Sequence, residues 1–335
     1  MQKVELVIDI GSKFVTISQK GKGVVIKEPS LVLLESRRNK MQLVVSGKAV
    51  ANYAANNSAR QTIAPIKGGV VVHEYAAMLL FKDLLLRLVP YKFIFRPQIK
   101  VIACVSCGIT NTEKNQIEKV LTMAGVSEVV ILESPIAVCA SIGDGSAQFV
   151  VDIGESKTEV AVVGKDGIVV GCAVNIGGNV FNQAIVDFVT DTKRCRLPYH
   201  LAEKTKKQVG SLYENDLTCT ELDLQEIGTN RVFAYKIYAK DIKNAVEPLA
   251  QKIVEVIYNM SFQIPPELAE EIYTNGISLC GGSACLPGLA EYIGQVIEMD
   301  THLLDDPTNV VAKGGLFYLD HPERLASVLN VDTLK

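Results

Sequence analysis

Short apolar runs alternate along the chain with segments whose apolar residues recur at helical spacing. Residues 100–106 (KVIACVS) form such a run and predict a buried strand. Residues 112–124 follow, with Ile117, Val120, Leu121 and Ala124 on one helical face. Thr110 or Thr112 supplies an N-cap there, and Gly125 a C-terminal stop. Residues 128–132 predict the next strand, and Pro135 opens a helix that runs toward Ile142. Further along, residues 241–262 read as a long amphipathic helix and residues 277–280 as a strand. Gly281 and Gly282 then make a turn before a helix starting near Leu286. Strands alternating with helices in this way give an α/β fold with mainly parallel core sheets.

The pattern also repeats. Residues 6–11 read LVIDIG and residues 149–154 read FVVDIG. Each is followed by mixed residues, a β-rich segment, a turn and another β-run. The turns are Gly21-Lys22-Gly23 in one copy and Gly164-Lys165-Asp166-Gly167 in the other, at the same distance from the Asp. The chain therefore reads as two related α/β halves. The first spans residues 1–145, with an insert at about 31–65, and is joined by a C-terminal segment at about 312–335. The second spans residues 146–311, with a polar insert at about 180–240.

Composition narrows the function classes. A length of 335 residues suits about two domains. The net charge of −3 argues against nucleic acid as a partner. Met1-Gln2-Lys3 and the short apolar run that Asp9 interrupts do not read as a secretory signal. The most apolar stretch, residues 79–95, carries Lys82, Asp83, Arg87 and Lys92 and is broken by Pro90, so it does not read as a membrane span. The eight cysteines are scattered and read as reduced, buried small hydrophobes. Cys104 and Cys107 form a lone CxxC without a second pair or a nearby His, which is weak support for a zinc site.

Two halves that each open on an Asp-Gly hairpin, a Gly-Gly turn late in the second half and an insert on each half resemble the actin, Hsp70 and sugar kinase superfamily. Within it the chain is most similar to the MreB family, the bacterial actins. The stretches that carry this run through nearly the whole length: VIDIGSKFV, KGKGVVIKEPSLV, IAPIKGGVV, FIFRPQIKVIACVSCGITNTEK, LESPIAV, VVDIGESKTEVAVV, IGGNVFNQAI, PPELAEEIYTNGISLCGGSACLPGL and DDPTNVVAKGG. The resemblance implies an actin-like duplicated fold around a nucleotide cleft, with ATP or ADP and Mg²⁺ as cofactors. Asp9 and Asp152 would hold Mg²⁺ through water, because Mg²⁺ keeps much of its hydration shell. Gly11, Ser12 and Lys13, and Gly154, Glu155, Ser156, Lys157 and Thr158, would form the two phosphate hairpins. Gly281, Gly282 and Ser283 match the adenosine turn, and Glu203, Lys206 and Lys207 the helix beside ribose and adenine.

Two positions depart from the family pattern. Hydrolases of this superfamily place an acidic or amide side chain just before the Pro of LESPIAV, to orient the attacking water. Here that position is Ser134, and the neighbouring Glu133 points elsewhere on the backbone. The second hairpin of MreB proteins usually ends in Gly-Gly-Thr. Here the tip is Glu155-Ser156-Lys157, so Lys157 stands where a Thr would lie near the γ-phosphate. Ser134 and Lys157 are thus the altered catalytic positions, and ATP hydrolysis is expected to be weak.

The resemblance also implies partners. Phe93 and Ile94 lie between Lys92 and Arg96 in a loop that, in MreB proteins, dips into the membrane. The two cations would add roughly 1 kcal/mol each against anionic lipid. The protein is expected in the cytoplasm, at the inner face of the cell membrane, assembling with itself and with MreB paralogues for cell shape or motility. A small-molecule kinase of the same superfamily is the alternative, although no carboxylate suits a substrate hydroxyl and the inserts are small for a substrate domain. An Hsp70-like chaperone is disfavoured, because the chain stops at Lys335 without a peptide-binding domain.

Overall fold

The computed structural model describes residues 3–37, 40–53, 59–89, 97–143 and 145–330. The chain divides into two compact units. One comprises residues 1–146, 163–169 and 309–335, and the other residues 147–162 and 170–308.

The first unit begins with β1 (Lys3–Ile10), β2 (Phe14–Gln19) and β3 (Gly23–Pro29), an antiparallel meander. A small sheet follows from β4 (Val32–Arg37), β5 (Lys40–Ser46) and β6 (Arg60–Ile63), with β4 in the middle. After the two-residue strands β7 (Ile66–Lys67) and β8 (Val70–Val71), helix α1 (Glu74–Leu88) leads toward β9 (Gln98–Val105). Helix α2 (Asn111–Ala124), β10 (Glu128–Glu133) and α3 (Ser134–Ile142) complete this run. The core sheet has the order β10-β9-β1-β2-β3, parallel through β10, β9 and β1. Leu6, Ile8, Phe81, Leu84 and Ile117 are fully buried in its core.

Helix α2 shows how local chemistry sets these boundaries. Thr110 Oγ1 accepts from the Glu113 N–H, and the Glu113 carboxylate accepts from the Thr110 N–H. This capping box settles the N-terminus on Thr110. Gly125 closes the helix in the left-handed region, at φ 109°. Ile117, Val120, Leu121 and Ala124 are the buried face, as their spacing predicts.

The second unit repeats the plan. It holds β11 (Gln148–Ile153), most of β12 (Thr158–Gly164) and of β13 (Gly167–Val174), whose connecting residues 163–169 group with the first unit, then α4 (Gly178–Lys193), β14 (Cys195–Arg196) and α5 (Tyr199–Val209). There follow β15 (Cys219–Glu226), β16 (Val232–Tyr238), α6 (Ala239–Ser261), α7 (Pro266–Asn275), β17 (Ile277–Cys280), α8 (Leu289–Ile297) and β18 (Thr301–Leu303). The core sheet has the order β13-β12-β11-β17-β18, parallel through β11, β17 and β18. That is the order of the first sheet read from its other side, so the LVIDIG and FVVDIG repeat is a repeat of architecture. Strands β14, β15 and β16 form a separate three-stranded sheet. Helix α4 turns Phe181, Ile185 and Val189 into the core. The chain returns to the first unit with α9 (Val310–Asp320) and α10 (Pro322–Asn330).

One predicted boundary moves. The helix expected from Leu286 begins at Leu289. Pro287 disfavours helical backbone at Leu286, and Gly288 sits at φ +81°, so the helix starts only after both. Among the described residues, no helix is long and apolar enough to cross a membrane. Phe93 and Ile94 lie outside the described residues.

Candidate functional site

The Asp-Gly hairpins of the two units are built alike. In the first, the Gly11 N–H donates to the Phe14 carbonyl at 3.1 Å. In the second, the Gly154 N–H donates to the Lys157 carbonyl at 3.0 Å. Each glycine carbonyl is then capped by a serine hydroxyl from elsewhere in its own unit. Ser30 Oγ donates to Gly11 O at 2.6 Å, and Ser283 Oγ donates to Gly154 O at 2.8 Å. A Cβ at Gly11 would lie 2.6 Å from the Phe14 carbonyl oxygen, so the turn needs glycine there.

The two aspartates also hold equivalent places. Asp9 is paired in register with Cys104 of β9, and Asp152 with Cys280 of β17. Both aspartates are half-buried, and both cysteines are fully buried. Burial, and then the nearby Asp9 charge, push the Cys104 thiol well up. It stays protonated at neutral pH and is a poor nucleophile there. In the first hairpin, Ser12 Oγ accepts from the Gly69 N–H at 3.2 Å.

The second hairpin is held on several sides. The first N–H groups of α4 are spent on it, with Gly178 N donating to Gly154 O at 3.0 Å and Asn179 N to Glu155 O at 2.8 Å. The close fit depends on Gly177, where a Cβ would lie 2.6 Å from Glu155 O and 2.8 Å from Lys157 N. Thr158 is fully buried, and its hydroxyl donates to Ile176 O at 2.7 Å. Ser283 adds a backbone bond from its N–H to Ile153 O at 2.9 Å. Gly281, at φ +88°, presses on the aspartate: a Cβ there would lie 2.2 Å from Asp152 Oδ1. Gly282 is more open, with Thr308 Cγ2 the nearest atom at 3.9 Å.

Helix α5 splits the three residues expected beside a nucleoside. Lys206 reaches the hairpin region, donating to Gly178 O at 3.0 Å and lying 5.6 Å from the Phe181 ring centre. Lys207 turns outward and pairs with Glu203 at 2.6 Å, one helical turn away. The second unit thus gathers Asp152, residues 154–158, Lys206 and residues 281–283 around one hairpin. Asp9, Gly11, Ser12 and Lys13 surround the other.

Ser134 opens α3 in the first unit. It is 6% exposed, and its hydroxyl donates to Val105 O at 2.9 Å. The Glu133 carboxylate faces α2, accepting from Lys114 Nζ at 2.9 Å and from the Gly108 N–H at 3.3 Å. Ser134 thus points its hydroxyl at β9, and Glu133 points its carboxylate at α2. Ser30 and Gly177 were missed by sequence reasoning. Ser30 lies in KGKGVVIKEPSLV, which the sequence reading uses for the resemblance and not for the site, and its role exists only through a contact nineteen residues away in sequence.

The chemistry of the donors fits a magnesium nucleotide. The carboxylates at the strand ends are hard oxygen donors of the kind Mg²⁺ takes, one or two at a time with water making up the rest. Among the described residues no group of three or more His, Cys, Asp or Glu could hold a metal by itself. Glycine turns with no room for a Cβ bring backbone close to any group seated on them.

Comparison with known proteins identifies the family and the fold. The family model described as MreB/Mbl protein matches residues 3–327. The cell shape-determining protein MreB of Escherichia coli (strain K12) is 29% identical over 326 residues, covering 93% of this chain and 92% of that protein. The crystal structure of MreB5 of Spiroplasma citri bound to ADP has a TM-score of 0.87 at 25% identity, over 97% of this chain and 98% of the other. The MamK double helical filament has a TM-score of 0.80 at 16% identity, over 95% and 99%, and speaks to fold alone. The fold is actin-like, and the chain belongs to the MreB/Mbl protein family.

Proposed function

We propose that this chain is an ATP- and ADP-binding filament subunit of the cell-shape cytoskeleton that hydrolyses ATP slowly. The observation that carries the reading is the matched pair of hairpins, each with an aspartate at the strand end and a serine-capped glycine carbonyl. Backbone N–H groups in such turns suit phosphate oxygens. Residues 11–13 and 154–158 would cradle the phosphates, with Asp9 and Asp152 holding Mg²⁺ through water. Residues 281–283 with Glu203, Lys206 and Lys207 would border the adenosine. A bound Mg²⁺ would neutralise phosphate charge. The named relatives support nucleotide and self-assembly: S. citri MreB5 is known with ADP, and MamK as a double helical filament. Slow hydrolysis rests on Ser134, whose hydroxyl is committed to Val105 O, and on Lys157 at the hairpin tip.

Phe93 and Ile94 would anchor the filament on the inner membrane face, and MreB paralogues would join it. Electron microscopy of the purified chain with ATP, on anionic lipid monolayers and in solution, tests the assembly. Filaments are expected in both, with those of Phe93→Ser plus Ile94→Ser lost from the lipid only. Monodisperse particles under all conditions would refute filament assembly.

The site has its own test. Gly281→Ala is expected to displace the Asp152 carboxylate and to lower affinity for magnesium ADP at least about tenfold, since one charge-assisted interaction is commonly worth about 1.5–3 kcal/mol. Calorimetric titration against wild type would show it. Unchanged affinity would remove residues 281–283 and Asp152 from the site.

A further inference from the structure

Strand β16 is the terminal strand of the β14-β15-β16 sheet. It pairs with β15 over its whole length, from Gln225↔Val232 to Cys219↔Tyr238, without a register shift. Two hairpins of the first unit differ, with shifts at Ile17/Ser18 between β2 and β3 and at Leu33/Leu34 between β4 and β5. Folded proteins commonly blunt an edge strand with a bulge, a proline, charges or a covering element. Strand β16 (VFAYKIY) has no proline and no bulge, and its only charged residue is Lys236. Among the described residues, no backbone hydrogen bond reaches its outer edge. Three of its large apolar side chains are open to solvent, with Val232 62%, Phe233 43% and Tyr238 44% exposed, while Ile237 is buried in the core and Tyr235 is half-buried against it.

We propose that β16 pairs antiparallel with β16 of a second copy of this chain, about a two-fold axis at Tyr235. Charge complementarity selects this occupant and this register. Pairing about Tyr235 sets Ala234 opposite Lys236 of the second copy, and Val232 opposite its Tyr238. Within each chain, β15 sets Asp223 beside Ala234 and Glu221 beside Lys236. One row across the joined sheet therefore reads Asp223, Ala234, then Lys236 and Glu221 of the second copy. Each lysine extends over a small alanine with a carboxylate on either side, and symmetry makes the row twice. No like charges stand directly opposite each other. On the other face Ile237 is fully buried in its own chain, so the exposed Phe233 of the second copy extends that face beside it, and Tyr235 meets its own counterpart. The outward N–H and C=O groups of both edges are satisfied by the pairing. A two-fold contact closes at two chains, so this one joins a pair and does not propagate a filament.

Two substitutions at Ala234 separate the pairing from a change in fold stability. Ala234→Lys faces Lys236 of the second copy but gains an attractive neighbour, Asp223, in its own chain. Ala234→Glu reverses both signs. Sedimentation velocity of the full chain over a concentration series, without nucleotide, reads the monomer–dimer step. Ala234→Lys is expected to weaken dimerisation about tenfold through the two symmetric pairs, and Ala234→Glu to tighten it. Melting temperatures are expected to move the other way. A wild-type chain that stays monomeric at every concentration, or two variants that move dimerisation in the same direction, would overturn the proposal.

Discussion

Ser134→Glu combined with Lys157→Thr is expected to raise the rate of phosphate release from ATP about 10²-fold. That corresponds to about 2.7 kcal/mol of barrier. Ser134 is buried at the first residue of α3, and its hydroxyl is held 2.9 Å from Val105 O. A glutamate in its place would give the start of α3 a carboxylate long enough to accept a proton from a water and aim it. The same change breaks the bond to Val105 O, at a net cost of about 1 kcal/mol in stability. The variant is therefore expected to be faster and slightly less stable, which a general improvement in folding would not produce. Lys157 contributes its carbonyl to the hairpin by accepting from Gly154 N, a role any residue fills. Threonine should keep the turn and exchange a flexible point charge for a small hydroxyl. Each single variant is expected to recover less than its share, because groups that act on one water are not additive. An unchanged rate in a folded, nucleotide-loaded double variant would mean that these positions do not govern hydrolysis.

Gly314→Ala is expected to destabilise the protein by about 3 kcal/mol. Gly314 lies on α9 where it crosses α3, and a Cβ there would lie 1.7 Å from the Ala137 carbonyl oxygen. That oxygen belongs to helical backbone, so the helices must separate. Gly315 is nearly as tight, with a Cβ 2.5 Å from Val7 Cγ1 of β1. The two glycines let α9 lie directly on α3 and β1, behind the strand that carries Asp9. Gly21→Ala is the control. Its φ is +77°, but nothing lies within 4 Å of its Cβ, so only the backbone strain of about 1–2 kcal/mol remains. Denaturant midpoints of the two variants compare them directly. A Gly314→Ala midpoint equal to that of Gly21→Ala would mean that α9 packs elsewhere.

The duplicated architecture was legible because it rests on local signals. LVIDIG and FVVDIG each end a strand on a turn glycine within six residues, a second strand follows each, and the apolar spacing of α2 marks its buried face. The capping box at Thr110 and the left-handed Gly125 are equally local. What the chain does not announce is which distant group meets which. Ser30 and Ser283 close the same bond in the two units, yet their surroundings in sequence, EPSLV and CGGSA, share nothing. The spending of the α4 N–H groups on residues 154 and 155 likewise depends on a crossing that periodicity cannot report. Lys206 and Lys207 are adjacent and chemically identical, and only the helix face separates one that reaches Gly178 O from one that pairs with Glu203. Ser134 shows the converse. The sequence marks its substitution, and the structure adds the bond to Val105 O, which spends the hydroxyl's one proton on β9.

Retention of ATP tests the central claim most directly. Bound nucleotide and released phosphate can be followed in one sample of the wild-type chain with Mg²⁺, beside E. coli MreB under the same conditions. The account predicts that ATP binds and stays largely intact, with release at least about 10²-fold slower than from E. coli MreB. Release at the rate of E. coli MreB, or failure to bind ATP at all, would contradict it.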